Sequence, residues 1–144
     1  MLTKSLDRII FENYKDMNID FIKIDTDGYD FAVIRSAKNI LKNYKPWIYF
    51  EWEYQYLIEN KEDIYSIFVF LSDHGYGEIF LFDHVGEPLF KVSAKDKNLL
   101  YQCMQWTQKE NYADVNRRIN YFDVLCIPDD SVCQYEEFLL KWYL

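Results

Sequence analysis

Asp25, Asp27 and Asp30 crowd around Gly28 directly after an apolar run, Phe21-Ile22-Lys23-Ile24. Glu51 and Glu53 follow a second such run, Trp47-Ile48-Tyr49-Phe50, at a similar distance. If the two runs are neighbouring strands, about 4.8 Å apart, Asp25 and Glu51 reach one crevice. Such a pair takes a proton from a hydroxyl, or holds a divalent metal with the help of Asp27. The plainer reading is that Asp27 and Asp30 serve the N-terminus of a helix and that Glu51 and Glu53 are solvated. Residue types alone leave both open. Gly28 supplies a backbone conformation, or a close approach, that a side chain forbids.

The elements that must position these residues follow from the surrounding pattern. An apolar run that ends in acids at the start of an amphipathic segment is how a parallel strand delivers side chains to the C-terminal edge of an α/β sheet. A strand is expected over 19–24. From Tyr29 onward Val33, Ile34, Ala37, Ile40, Leu41 and Tyr44 recur at helical spacing, with acids early, Arg35, Lys38, Lys42 and Lys45 later, and Pro46 as the stop. One helix is expected there. Trp47–Trp52 reads as the second strand, and Asn60 as the cap of a helix reaching Asp73, closed by Gly75. Glu78–Phe82 is the third strand, 84–87 a turn and 89–92 a returning hairpin arm. Ser93 with Asp96 resembles a capping box for a helix over 98–106, and 107–120 reads as a surface loop. A last strand, 121–127, precedes Pro128, and Ser131 with Gln134 opens a C-terminal helix. Upstream, Ser5 caps a short helix carrying Asp7 in its first turn. Strands alternating with helices call for a parallel sheet, from which the last two strands are free to depart.

A chain of 144 residues forms one domain, 1–144, and is long enough to bury about 70% of its unfolded surface. Half the residues are apolar and 19% aromatic, which excludes a disordered chain. A net charge of −8 with no basic block excludes nucleic acid and anionic membrane surfaces as partners. Cys103, Cys126 and Cys133 are odd in number and lack CxxC spacing, which suits thiols in a reducing compartment. His74 and His84 have no partner at metal-ligand spacing and are read as turn or surface residues. No signal-peptide core and no spanning run is present, so a cytoplasmic location is expected.

The stretch Ile19-Asp20-Phe21-Ile22-Lys23-Ile24-Asp25-Thr26-Asp27-Gly28-Tyr29-Asp30, preceded by Leu6-Asp7, resembles the latter part of FkbM-family methyltransferases. The similarity continues through Ala37, Leu41, Pro46, the strand ending in Glu51, Leu71, Gly75-Tyr76 and the strand before Pro128, thinly after residue 82. The resemblance implies methyl transfer from S-adenosylmethionine to an oxygen of a sugar or other small metabolite, on a Rossmann-like sheet of seven strands. The strand ending at Asp25 is then the fourth and the Glu51 strand the fifth. By that resemblance Asp25, Asp27 and Gly28 lie at the cofactor, and Asp25 and Glu51 at the reacting groups. Asp27 and Asp30 stand where the family usually has glutamate, and Ser36 where it usually has glycine. Aspartate shortens the reach by one methylene.

In such methyltransferases a glycine-rich loop after the first strand lets backbone N–H groups approach the cofactor. The glycines here are Gly28, Gly75, Gly77 and Gly86, and none forms such a loop. The chain is therefore expected to be a C-terminal half, a partial Rossmann-like sheet of mixed parallel and antiparallel strands without the N-terminal cofactor-binding strands. The strand 19–24 becomes an exposed edge, open to self-association or to a partner chain.

Two other functions compete. Strand–Asp-x-Asp-Gly also resembles a phosphohydrolase of the haloacid dehalogenase type. Asp25 is then the nucleophile, Asp27 the general acid and magnesium the cofactor, with Asp129-Asp130 as the late acidic motif. A non-catalytic interaction module, using an aromatic surface rich in Tyr and Trp, is the third reading.

Overall fold

The computed structural model describes residues 3–14, 16–108 and 119–143, with side chains described up to residue 137. Helix α1 (Leu6–Asn13) leads into β1 (Phe21–Ile24). Then come α2 (Asp30–Arg35), α3 (Lys38–Tyr44) and β2 (Trp47–Trp52). Next are α4 (Tyr54–Glu59), α5 (Ser66–Ser72) and the hairpin β3 (Glu78–Phe82) and β4 (Pro88–Ser93). Helix α6 (Lys97–Thr107), β5 (Phe122–Cys126) and α7 (Val132–Tyr143) complete the described chain. The loop expected over 107–120 lies mostly outside the described residues.

The sheet order is β1-β2-β5-β3-β4. Strands β1 and β2 pair in parallel, and β5 inserts antiparallel between β2 and β3, so β1, β2 and β3 all run the same way. Their C-terminal ends and the start of β5 therefore meet along one rim of the sheet. This is the α/β architecture expected, a mixed five-stranded sheet with flanking helices, consistent with a methyltransferase-like fold. Strand β1 is the edge, with a strand neighbour on one side only among the described residues.

Burial alternates along β2, with Ile48, Phe50 and Trp52 inward and Trp47, Tyr49 and Glu51 on the other face. The larger core joins Ile24, Ile48, Phe50, Trp52 and Val124 of the sheet to Phe31, Ile34, Ile40, Leu41, Phe68 and Leu71 of the helices. Buried polar atoms here are served: Trp52 Nε1 donates to the Ile64 carbonyl at 3.0 Å, and the Tyr76 hydroxyl to the Pro46 carbonyl at 2.8 Å. On the opposite face Phe80, Leu125 and Ile127 pack with Val132 and Tyr135 of α7. Tyr135 stands edge-on to both Trp47 and Phe80.

Ser5 caps α1 as expected, its Oγ accepting from Arg8 N–H. Three expectations give way. The single helix over 29–44 is two, parted at Ser36-Ala37, because the start of α1 takes over the hydrogen bonds of the break. Ser36 Oγ accepts from Leu6 N–H at 2.9 Å, and the Asp7 carboxylate accepts from the N–H groups of Asn39 (2.9 Å) and Ile40 (3.0 Å). Asp7 thus serves N–H groups at the start of α3 that have no partner within the helix. The helix from Asn60 is also two: Asn60 ends α4, its N–H donating to the Tyr56 carbonyl at 3.0 Å, and α5 begins only at Ser66. At α6 the cap is Asp96, which accepts from Leu99 N–H, while Ser93 Oγ accepts from Lys95 N–H in the preceding turn.

Candidate functional site

The ladder register assembles the site. Ile24 pairs with Phe50, so Asp25 leaves β1 beside Glu51 at the end of β2. On the other side of β2, Glu51 pairs with Asp123, which in turn pairs with Phe82 of β3. The result is an open cleft of about 330 Å³ at the rim, walled by Lys23, Asp25, Tyr49, Glu51, His84, Tyr121 and Asp123. Asp25 and Glu51, the pair picked out from the sequence, do share this cleft. Their settings differ. Asp25 has a side chain 61% exposed and is tied to Lys23 at 2.9 Å. Glu51 is half-buried, and burial first, then the adjoining Glu53 carboxylate, pushes its pKa up to about 8, with Asp30 and Asp123 adding to the push. Burial also raises Asp123, opposed by the Tyr49 hydroxyl, which donates to it, and by Lys23.

Asp27 and Gly28 lie beside this cleft rather than in it. Both have positive φ, 48° and 93°. Asp27 is exposed. A Cβ on Gly28 would stand 2.6 Å from Tyr56 Cβ, so the glycine is what lets α4 approach the loop. Its carbonyl accepts from Asn60 Nδ2 at 3.3 Å, and its N–H donates to Asp30 Oδ2 at 3.3 Å. Thr26 Oγ1 donates to the same Asp30 oxygen at 3.0 Å. Asp30, expected at the helix N-terminus, is there but buried at 3% exposure. It fastens the preceding turn. Its Oδ1 is buried without a hydrogen-bond partner among the described residues.

Sequence reasoning missed four cleft residues: Tyr49, His84, Tyr121 and Asp123. His84 does sit in the β3–β4 turn as expected, yet it also faces the cleft. Its ring stands edge-on to Tyr121 at 5.9 Å, and its Nδ1 is buried with no hydrogen-bond partner among the described residues. The one available signal was Asp123 itself, a carboxylate interrupting the run Phe122-Asp123-Val124-Leu125. Its placement opposite Glu51 depends on where β5 inserts, which no local pattern reveals.

Asp129 and Asp130 follow the C-terminal end of β5, at the sheet edge opposite Asp25, because β5 runs antiparallel. Asp129 accepts from Gly77 N–H at 2.6 Å, and Asp130 pairs with Lys45 at 2.9 Å. The late acidic motif of a phosphohydrolase is therefore absent from the cleft. Among the described residues no group of three or more His, Cys, Asp or Glu side chains is arranged to hold a metal ion. No described helix is long and apolar enough to cross a membrane.

Comparison with curated proteins finds no match, and neither does comparison with solved structures. The methyltransferase FkbM domain matches residues 2–77, a range that holds Asp7, Asp25, Gly28, Asp30 and Glu51, while His84, Tyr121 and Asp123 fall beyond it. That match spans more than half of the chain, from α1 to the threshold of β3, and the chain belongs to the FkbM methyltransferase family.

Proposed function

We propose that the chain serves methyl transfer from S-adenosylmethionine to a hydroxyl of a sugar or similar small metabolite. The observation that carries this is the convergence of Asp25 and Glu51 on one rim cleft, with Glu51 titrating near 8. A group poised close to neutral pH is suited to general-base work. The residues present fit part of the cofactor. Asp25 and Glu51 are carboxylic residues walling the cleft, where Lys23, the cation among the described lining residues, is already tied to Asp25. The acidic character complements the sulfonium and ammonium of the methionine end. Asp25, with Asp27 and Gly28 in the loop that follows, would hold that end; the glycines supply no clustered loop for the rest. When bound, S-adenosylmethionine supplies an activated methyl group on sulfur. The protein's part is to seat the acceptor hydroxyl in the cleft and to draw its proton to Glu51, with Asp123 and Tyr49 setting the local field.

Calorimetric titration of the chain with S-adenosylmethionine, followed by transfer of labelled methyl to a panel of sugars, tests the reading. Heat at micromolar ligand and label in a sugar product support it. Silence in both leaves the interaction module.

That second reading has its own support in the edge of β1, which has no outer strand partner among the described residues and where Phe21 is 53% exposed, with Met17 just upstream at 57%. An apolar edge is a template for pairing with a further strand. We propose a second copy of the chain as its occupant, and the oligomeric state in solution is the measurement that decides it.

A further inference from the structure

Glu51 borders a second, smaller space. It is lined by Gly28, Asp30, Glu51, Glu53, Tyr56 and Leu57 and measures about 10 Å³, room for a single water-sized group. Asp30 is almost fully buried there, and while its Oδ2 takes the Thr26 hydroxyl and the Gly28 N–H, its Oδ1 takes no donor among the described residues. Among the described residues no lysine or arginine lines this space. The nearby cations are spent elsewhere, Lys23 on Asp25 and Arg35 on Glu62. A buried carboxylate oxygen without a donor or a counter-charge is costly, so something is expected to meet it. A water supplies donors and no charge. A primary ammonium is similar in size, carries the N–H donors that the bare Asp30 oxygen lacks, and brings a positive charge to a space lined by Asp30, Glu51 and Glu53.

We infer that this chamber is a recognition pocket for a primary ammonium group, R–NH3+, held by Asp30, Glu51 and Glu53. The inference rests on the methyltransferase reading only for the identity of R, which is either an amino-bearing acceptor or the amino-acid end of the cofactor. The groups facing Glu51 are Glu53, Asp30 and Asp123, with Lys23, Tyr56 and Tyr121 also within its field. With carboxylates dominating, Glu51 keeps a proton near neutral pH. An arriving ammonium takes that proton's place and expels it.

The test uses the full chain at pH 7.5, titrated in two buffers of different ionisation enthalpy, with the Gly28 amide followed by NMR. The probes are 6-amino-6-deoxyglucose against glucose, and L-methionine against its des-amino analogue. The expected result is that at least one amine moves the Gly28 signal and releases up to one proton, while its neutral or des-amino counterpart does neither. Asp30→Asn and Glu53→Gln should each weaken the amine about tenfold or more; the second keeps the test alive if the first fails to fold. The amino sugar responding assigns the pocket to the acceptor, and L-methionine responding assigns it to the cofactor. Equal shifts from amine and counterpart, or amines that leave Gly28 unmoved with no proton released, overturn the pocket and leave a hydration site. A chain that selects amines yet ignores S-adenosylmethionine keeps the pocket and loses the methyltransferase reading. Methyl transfer without amine selection does the reverse.

Discussion

Glu51 and Asp123 are directly opposite one another across the antiparallel ladder of β2 and β5. Burial first holds both carboxyls above their ordinary range, with Glu53 adding to the push at Glu51 and Asp25 at Asp123. The consequence for stability has a definite sign. Glu51 titrates near 4.5 when the chain is unfolded and near 8 when folded, so the folded state binds the extra proton across that window. Its contribution is fully present below about 4.5 and is lost as pH climbs through 8. Thermal unfolding at pH 5.5 and 8.5, at one ionic strength, should therefore show a lower midpoint at the higher pH. Glu51→Gln, which mimics the protonated form, should narrow that gap and raise the midpoint at pH 8.5. A variant with the same pH dependence as the parent would remove Glu51 as its source.

On the proposed methyl transfer the same titration acts in the opposite sense. A general base acts when deprotonated, so methyl transfer should rise with pH and level off above about 8. Glu51→Gln should lower kcat by about 10²-fold or more and abolish the rise. Asp123→Asn removes one neighbouring negative charge and should move the inflection to lower pH with kcat largely kept. A pH profile on each protein separates proton abstraction from a merely structural loss, which would lower the rate without moving the inflection.

Gly28 and Gly86 make a controlled pair. Their φ angles are 93° and 87°, so alanine at either is strained by a similar amount, about 1–2 kcal/mol. Of the two, only Gly28 brings the added methyl into collision, at 2.6 Å from Tyr56 Cβ; at Gly86 nothing among the described residues lies within 4 Å. Gly28→Ala should therefore cost about 1–3 kcal/mol more than Gly86→Ala in urea unfolding. Equal costs would mean that α4 gives way easily and that Gly28 is there for its backbone alone.

The strands and most helices were legible because their signals are local. Phe21–Ile24 and Trp47–Trp52 are apolar runs bounded by acids, and Ser5 announces α1 with a hydroxyl at the right offset. What was not legible depends on residues far apart in the chain. The break at Ser36-Ala37 is made by Asp7 and Leu6, some thirty residues upstream, as the hydrogen bonds of Leu6 and Ile40 show. Helix α4, Tyr54–Glu59, is six residues long, too short to show a helical period in the sequence. Half of the cleft was visible, since Asp25 and Glu51 end strands that follow one another in sequence. The other half, His84, Tyr121 and Asp123, enters only when β5 slots between β2 and β3.

The Asp7 carboxylate meets three donors on α3: the Asn39 N–H, the Ile40 N–H and Asn39 Nδ2. Asp7→Ala leaves those N–H groups to solvent and unties α1 from the break, and should cost about 1–2 kcal/mol. Asp7→Asn keeps one acceptor oxygen and should recover part of the loss. Urea unfolding of both variants against the parent checks the order, and an alanine variant as stable as the parent would assign the cap no energetic role.

Edge strand β1 yields the last prediction. Phe21 offers an exposed ring on a strand whose outer backbone has no strand partner among the described residues. If two copies meet there, Phe21→Lys should dissolve the pairing, since a lysine on an edge is solvated and repels its symmetry mate. Phe21 is half exposed and lies outside the buried core, so the substitution should cost the monomer less than about 1 kcal/mol. Sedimentation velocity across a concentration series reads the outcome: a parent that shifts toward dimer and a variant that stays monomeric is the expected pair. A parent that is monomeric throughout rules out the second copy, because an edge of four residues with no partner at high concentration has no affinity for itself.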